Sequence, residues 1–147
     1  MVFHGDVILA ANLGIFYNFA GMKREELEIM APVGSLSSLS AAARAGADAV
    51  YFGIAGLNMR SKAATNFTLG ELPALAERCR RYGMRSYLTV NTIMYDSDMA
   101  RMREIVDAAG DAGISAVIAS DIAAIMIARS EGVEVHISTQ CNITNIE

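Results

Sequence analysis

Residues 28–53, EIMAPVGSLSSLSAAARAGADAVYFG, decide the fold. The spacing predicts a strand over 27–31, a turn, a helix over 36–45, a second turn and a strand over 49–53. Pro32 ends the first apolar run, because a proline cannot continue a central strand. Ser35 stands where an N-cap belongs, and Gly46 stands where a helix end favours a left-handed residue. Ala49 to Gly53 is apolar at consecutive positions, as in a parallel strand covered on both faces. Two such strands joined by a helix form the right-handed βαβ crossover.

The plan recurs downstream. Gly46, Gly83, Gly113 and Gly132 each follow a helical segment and precede an apolar one. Thr68-Leu69-Gly70-Glu71 has capping-box spacing and opens a helix to about Tyr82, with Leu69, Leu72, Leu75 and Ala76 on one face and Pro73 tolerated near its start. A third strand spans 86–91. Asp96 or Ser97 caps a third helix, in which Met99, Met102, Ile105, Val106 and Ala109 recur at the helical period. A fourth strand covers 116–119. A fourth helix starts at Asp121 with Ile122, Ile125 and Met126 expected inward, and a fifth strand covers 133–138. Four βα units and a fifth strand leave two architectures, an open doubly wound sheet or a (β/α) barrel. A complete barrel takes about 250 residues and eight strands, so a barrel here is partial.

The chain has 147 residues, is 53% hydrophobic and 19% charged, and carries a net charge of −4, which describes a globular chain with no broad basic surface. Its two cysteines, Cys79 and Cys141, lie too far apart for a local zinc or redox motif. Nine methionines fall mostly at helical spacing and read as core filler. The apolar run 7–20 is too short to span a bilayer and is broken by Asn12, Gly14 and Asn18. It also lacks the basic start of a signal peptide. The expectation is a cytoplasmic protein without membrane contact. Residues 1–21 do not fit the repeat and read as an extension outside the domain. The alternative is an element that plugs the bottom of the sheet.

In either architecture the ligand binds at the carboxyl ends of the strands. That rule gathers Ser35, Asn58, Arg60, Asn91, Thr92, Ser120, Asp121, Ser138, Thr139, Gln140 and Asn142. Asn58 and Arg60 sit in the longest connection, 54–67, and long ordered loops are often functional. Amides and hydroxyls dominate, which describes a hydrogen-bonding pocket more than a complete catalytic centre. Each residue also has a structural reading. Asp121 serves equally as a cap, and Ser35 is a cap rather than a nucleophile. Arg60 suits a carboxylate or phosphate but also reads as solvated. His136 reads as a packed strand histidine, with a Cys141–His136 thiol–imidazole pair as the alternative. Arg78, Arg80, Arg81 and Arg85 cluster at the end of the second helix, where the dipole favours cations, with an RNA patch as the minority reading. Metalloprotease, serine-hydrolase, P-loop and dinucleotide motifs are absent from the sequence.

Met30-Ala31-Pro32-Val33-Gly34-Ser35-Leu36 and Ala45-Gly46-Ala47-Asp48-Ala49-Val50-Tyr51-Phe52-Gly53 resemble the opening of the collagenase-like proteases, peptidase family U32. The resemblance continues through Leu57-Asn58-Met59-Arg60, Asn66-Phe67-Thr68-Leu69, Thr89-Val90-Asn91-Thr92 and Ser138-Thr139-Gln140. Met59 and Cys141 depart from it where Ala and Met are expected. The resemblance implies a TIM-barrel-like N-terminal domain, here residues 22–147, and a peptidase whose catalytic residues are unknown. It supports Asn58, Arg60, Asn91, Asp121 and Gln140 as substrate-binding candidates and no metal ligand. Some relatives in the family resemble oxygen-independent hydroxylation proteins for RNA or cofactor precursors. Their iron–sulfur cysteines lie beyond the segment matched here, so no cofactor is expected in this segment. Implied partners are a peptide or RNA substrate, and a second copy or a C-terminal half that completes the barrel. A barrel fragment that is not catalytic by itself and pairs with another chain is the remaining reading.

Overall fold

The computed structural model describes residues 7–8, 23, 27–55 and 66–145. Its strands are β1 (Val7–Ile8), β2 (Leu27–Glu28), β3 (Met30–Pro32), β4 (Ala49–Gly53), β5 (Arg85–Val90), β6 (Ala116–Ala119) and β7 (Val135–Ile137), and its helices are α1 (Leu36–Arg44), α2 (Leu72–Arg81), α3 (Met99–Ala112) and α4 (Ile122–Ser130). Strands β3 to β7 form one five-stranded sheet in sequence order, and every pairing is parallel. Neighbours in sequence are neighbours in space, so the order never reverses and an open doubly wound sheet is ruled out. The architecture is a partial TIM-barrel-like (β/α) sheet whose edges are β3 and β7 among the described residues.

The expected first strand is split in two. Leu27–Glu28 pairs in parallel with Val7–Ile8, whereas Met30–Pro32 pairs with β4. Asp48 makes the break: its Oδ2 accepts the Ile29 N–H at 2.7 Å, while the Ile29 carbonyl accepts the N–H groups of Asp48 and Ala49. Pro32 lies inside β3 rather than beyond it. The Val33 N–H donates to the Tyr51 carbonyl at 3.0 Å, so the donor that proline lacks falls on the unpaired side of this edge strand. Apart from Val7–Ile8, residues 1–21 lie outside the described residues.

The helix ends follow the sequence closely. Ser35 caps α1 in a reciprocal box with Ser38. Glu71 Oε2 accepts both the N–H and the hydroxyl of Thr68, each at 2.8 Å. The third helix differs from expectation. A short 3-10 turn, Asp96–Asp98, precedes α3, and the Asp98 carboxylate, not that of Asp96, accepts the Tyr95 N–H at 3.0 Å. The four glycines of the repeat all have positive φ, from 68° to 80°. At Gly113 a side chain would also meet Arg80, whose Nη1 would lie 3.1 Å from an added Cβ. That guanidinium donates to the Ala112 carbonyl at 3.2 Å, a cation closing the C-terminus of α3.

Alternation along the strands separates two faces. On one, Val50, Phe52, Leu88, Val90, Val117 and Ala119 pack under the helices in a continuous core with Leu39, Leu75, Met102 and Ile105. On the other, Ala49, Tyr87 and Ala116 form a separate small core flanked by Met30, Tyr51 and Ile118. Helix α4 corrects one expectation. Ala124, Ile127 and Ala128 face the sheet, while Ile122 and Met126 are 75% and 66% exposed. The segment is apolar nearly all round, so period alone does not choose its inner face. Its two alanines, four residues apart, give the closer seat on the sheet.

Candidate functional site

The connections after β5, β6 and β7 meet at the carboxyl end of the sheet. Asn91 directly follows β5 and Gln140 sits in the 3-10 turn Thr139–Cys141 after β7. Asn91 Nδ2 donates to Gln140 Oε1 at 2.8 Å, which links two strands separated by β6. The Ser138 hydroxyl donates to the same oxygen. Ser138 is only 7% exposed, one of two buried polar residues among those described. Asn142 follows in the left-handed region at φ 52°, a conformation Asn tolerates better than most side chains.

Asp121 stands between β6 and α4, as the N-cap of α4. Its Oδ1 accepts the Ala123 N–H at 2.8 Å and so caps α4, while Oδ2 lies 3.4 Å from the Met94 N–H on the β5 connection. The capping role read from sequence is therefore present, and the same carboxylate ties two connections together. Cys141 Sγ donates to the Ser120 carbonyl at 3.2 Å and closes the third side. Asn91, Asp121 and Gln140 thus share one end of the sheet. Asn58 and Arg60 lie outside the described residues. The flanks of their connection are anchored at the same end by the Ile54–Phe67 bridge and by the edge-on contact of Phe67 with Phe52, 5.6 Å between ring centres. Around the amide network Ile93, Tyr95, Ile122 and Ile143 are each about two-thirds or more exposed.

The thiol–imidazole reading is not met. Cys141 engages the Ser120 carbonyl, whereas the His136 ring lies against Tyr87 on the inner face, 4.8 Å between centres. His136 belongs to a polar group that sequence reading missed. Glu28 Oε1 accepts from Arg85 Nη2 at 2.6 Å, Arg85 Nε at 2.7 Å and the Tyr87 hydroxyl at 2.8 Å. Arg85 therefore serves Glu28 rather than a helix terminus. Burial, followed by the bond to Glu28, pushes the Tyr87 hydroxyl pKa up. Glu28 Oε2 and His136 Nδ1 are buried without a hydrogen-bond partner among the described residues. The available signal was the period-two placing of Arg85, Tyr87 and His136 in otherwise apolar strands.

The residues present do not fit an iron–sulfur cluster. Cys79 is 1% exposed in the core under α2, where burial pushes its thiol up to about 11. Cys141 is held by a carbonyl. Among the described residues, no group of three or more His, Cys, Asp or Glu is placed for a metal. Among the same residues, no helix is long and apolar enough to cross a membrane.

A partial parallel (β/α) barrel with a polar network at its carboxyl end defines the class. Hydroxymethylglutaryl-CoA lyase from Pseudomonas aeruginosa shares this fold, with a TM-score of 0.54 and 20% identity over 82% of this chain and 48% of that one. The family profile of peptidase family U32 matches residues 34–147, and the chain belongs to that family. It is 61% identical to a collagenase of Porphyromonas gingivalis over 126 residues, 86% of this chain and 30% of the relative. It is also 36% identical to the tRNA hydroxylation protein P1 of Bacillus subtilis, over 80% of this chain and 28% of that protein. A third relative is the 23S rRNA 5-hydroxycytidine C2501 synthase of Escherichia coli, 31% identical over 82% of this chain and 18% of that protein. The chain spans less than a third of the length of these relatives.

Proposed function

We propose that this segment forms the substrate-binding mouth of a U32-family peptidase and takes a peptide. The observation that carries this reading is the chemistry of the mouth. Its described connections, 32–35, 54–55, 66–68, 91–98, 120–121 and 138–145, contain Asp96, Asp98 and Asp121 and no Lys or Arg, while Arg60 and Lys62 belong to the part of connection 54–67 outside the described residues. Amides and hydroxyls at the centre match the alternating donors and acceptors of a peptide backbone, and the exposed isoleucines and Tyr95 match apolar side chains. An RNA strand draws most of its affinity from cations on its phosphates. Among the described residues the mouth holds no nucleophile joined to a base, so this reading assigns the segment substrate binding and names no catalytic group.

The second reading is RNA hydroxylation, favoured by the tRNA and rRNA relatives. In that reading this segment binds substrate, and an iron–sulfur cluster is held by residues beyond it. A third follows from the edges of β3 and β7, which are unpaired among the described residues and mark a surface for a complementary barrel half or a second copy. The full-length protein, purified anaerobically, tests all three. Peptide cleavage, with RNA binding that is weak at physiological salt, supports the first. Bound iron and sulfide, with loss of a hydroxylated nucleoside in a deletion strain, would replace it with the second. Size-exclusion chromatography of the 147-residue chain bears on the third, since a stable monomer opposes obligatory pairing.

A further inference from the structure

We infer that Gln140 holds its side-chain N–H pair toward the mouth as a fixed donor for a substrate oxygen, either a carbonyl or a carboxylate. An amide oxygen has two lone pairs. Here one accepts from Asn91 Nδ2 and the other from the Ser138 hydroxyl. Flipping the Gln140 amide would set donor against donor at Asn91 Nδ2, whereas the Ser138 hydroxyl can accept as well as donate, so the bond from Asn91 sets the orientation. Asn91 directly follows β5, and the buried Ser138 directly follows β7 with its N–H donating to the Ala119 carbonyl at 2.8 Å, so both anchors abut the sheet. The Ser138 carbonyl also accepts the Cys141 N–H at 3.0 Å and closes the turn that carries Gln140. Nε2 then points away from both anchors, and among the described residues it has no partner. Gln140 is exposed, and a donor fixed before its acceptor arrives needs no reorganisation when it binds. Asn91 and Ser138 act through Gln140 and are positioning residues.

This inference rests on the mouth being the substrate site, and the experiment separates the two ideas. In isotope-labelled full-length protein the Gln140 amide resonances are identified by their loss in Gln140→Glu. A carboxylate still accepts from Asn91 and Ser138, so this variant is expected to melt at the wild-type temperature. Two probes are titrated, N-acetylglycine N-methylamide for a neutral carbonyl and sodium acetate for a carboxylate. One of them is expected to move the Gln140 N–H pair, and Gln140→Glu to weaken that probe about tenfold. Ser138→Ala removes one anchor but keeps the donor. It is expected to weaken the same probe and to bring the two N–H shifts together, which keeps the test open if Gln140→Glu does not fold. If resonances of 91–95 and 138–143 move while the Gln140 pair stays still, the mouth stands and the inference falls. If neither probe moves any of them, both fall.

Discussion

The two faces of the five-stranded sheet solve burial differently. Toward the helices, Val50, Phe52, Leu88, Val90 and Val117 are at most 2% exposed, and their partners are apolar side chains of α1, α2 and α3. Toward the inside, large polar side chains alternate with alanine. Glu28 reaches over Ala49 on β4 to Arg85 and Tyr87, and Tyr87 reaches over Ala116 on β6 to His136. In the layer of Glu28, Arg85, Tyr87 and His136 the small residues are Ala49 on β4 and Ala116 on β6, whereas the next inward residues of those two strands, Tyr51 and Ile118, are large. Side-chain layers in barrels of this class are drawn from alternate strands in the same way. The outer face thus gains stability from area removed from water. The inner face depends on hydrogen bonds whose geometry must be right, and it leaves Glu28 Oε2 and His136 Nδ1 without a partner among the described residues.

If that contrast is correct, neighbouring residues of β5 respond unequally. Leu88→Ala on the helix side is expected to lose about 2–5 kcal/mol, since a buried leucine leaves a cavity as well as lost transfer energy. Thr89→Val points inward and loses one hydrogen bond, from Oγ1 to the Phe52 carbonyl at 2.9 Å. It is expected to cost only about 0.5–1.5 kcal/mol. Denaturant titration of both variants measures the ratio. Equal losses would mean that the inner face is packed as an ordinary apolar core.

Ala116→Leu sharpens the contrast from the inner side. Ala116 is fully buried and is the register partner of Tyr87, below the Tyr87–His136 contact. Added methylenes there are expected to cost about 1–3 kcal/mol and to alter the near-UV tyrosine signal. A neutral result would show that the inner layer has slack and that the alanine is not a spacer.

Much of the outer face was legible because it follows periods and punctuation. The glycine after each helix, Ser35, the Thr68–Glu71 pair and the buried face of α3 all act within a few residues. The placement of Asp121 and Gln140 at one end of the sheet was legible for a different reason, since parallel βα order alone sends strand ends to one side. The inner polar group was not legible, because Glu28 and Tyr87 are 59 residues apart and meet only through register. The inner face of α4 was hidden by composition, as a helix apolar all round carries no phase. The split at Ile29 was hidden because it depends on an Asp48 carboxylate 19 residues away.

The smallest effect lies at alkaline pH, where each face holds one buried acid. Cys79 sits under α2, and burial raises its thiol from 9.0 to about 11. Tyr87 sits on the inner face, where burial and then the Glu28 bond raise its hydroxyl above 10.0. In both, folding favours the protonated form. Stability from such a group is complete below the unfolded pKa and is lost as pH rises toward the folded one. The thiol should therefore begin to cost stability above pH 9.0, and the phenol only above pH 10.0. Cys79→Ala is expected to flatten the first part of the decline and Tyr87→Phe the second, whatever either does to stability at neutral pH. Denaturant midpoints across the alkaline range give both slopes. If Tyr87→Phe leaves the upper slope unchanged, the Tyr87 hydroxyl is not held in the protonated state by Glu28 and burial, and the inner face is wetter than its geometry implies.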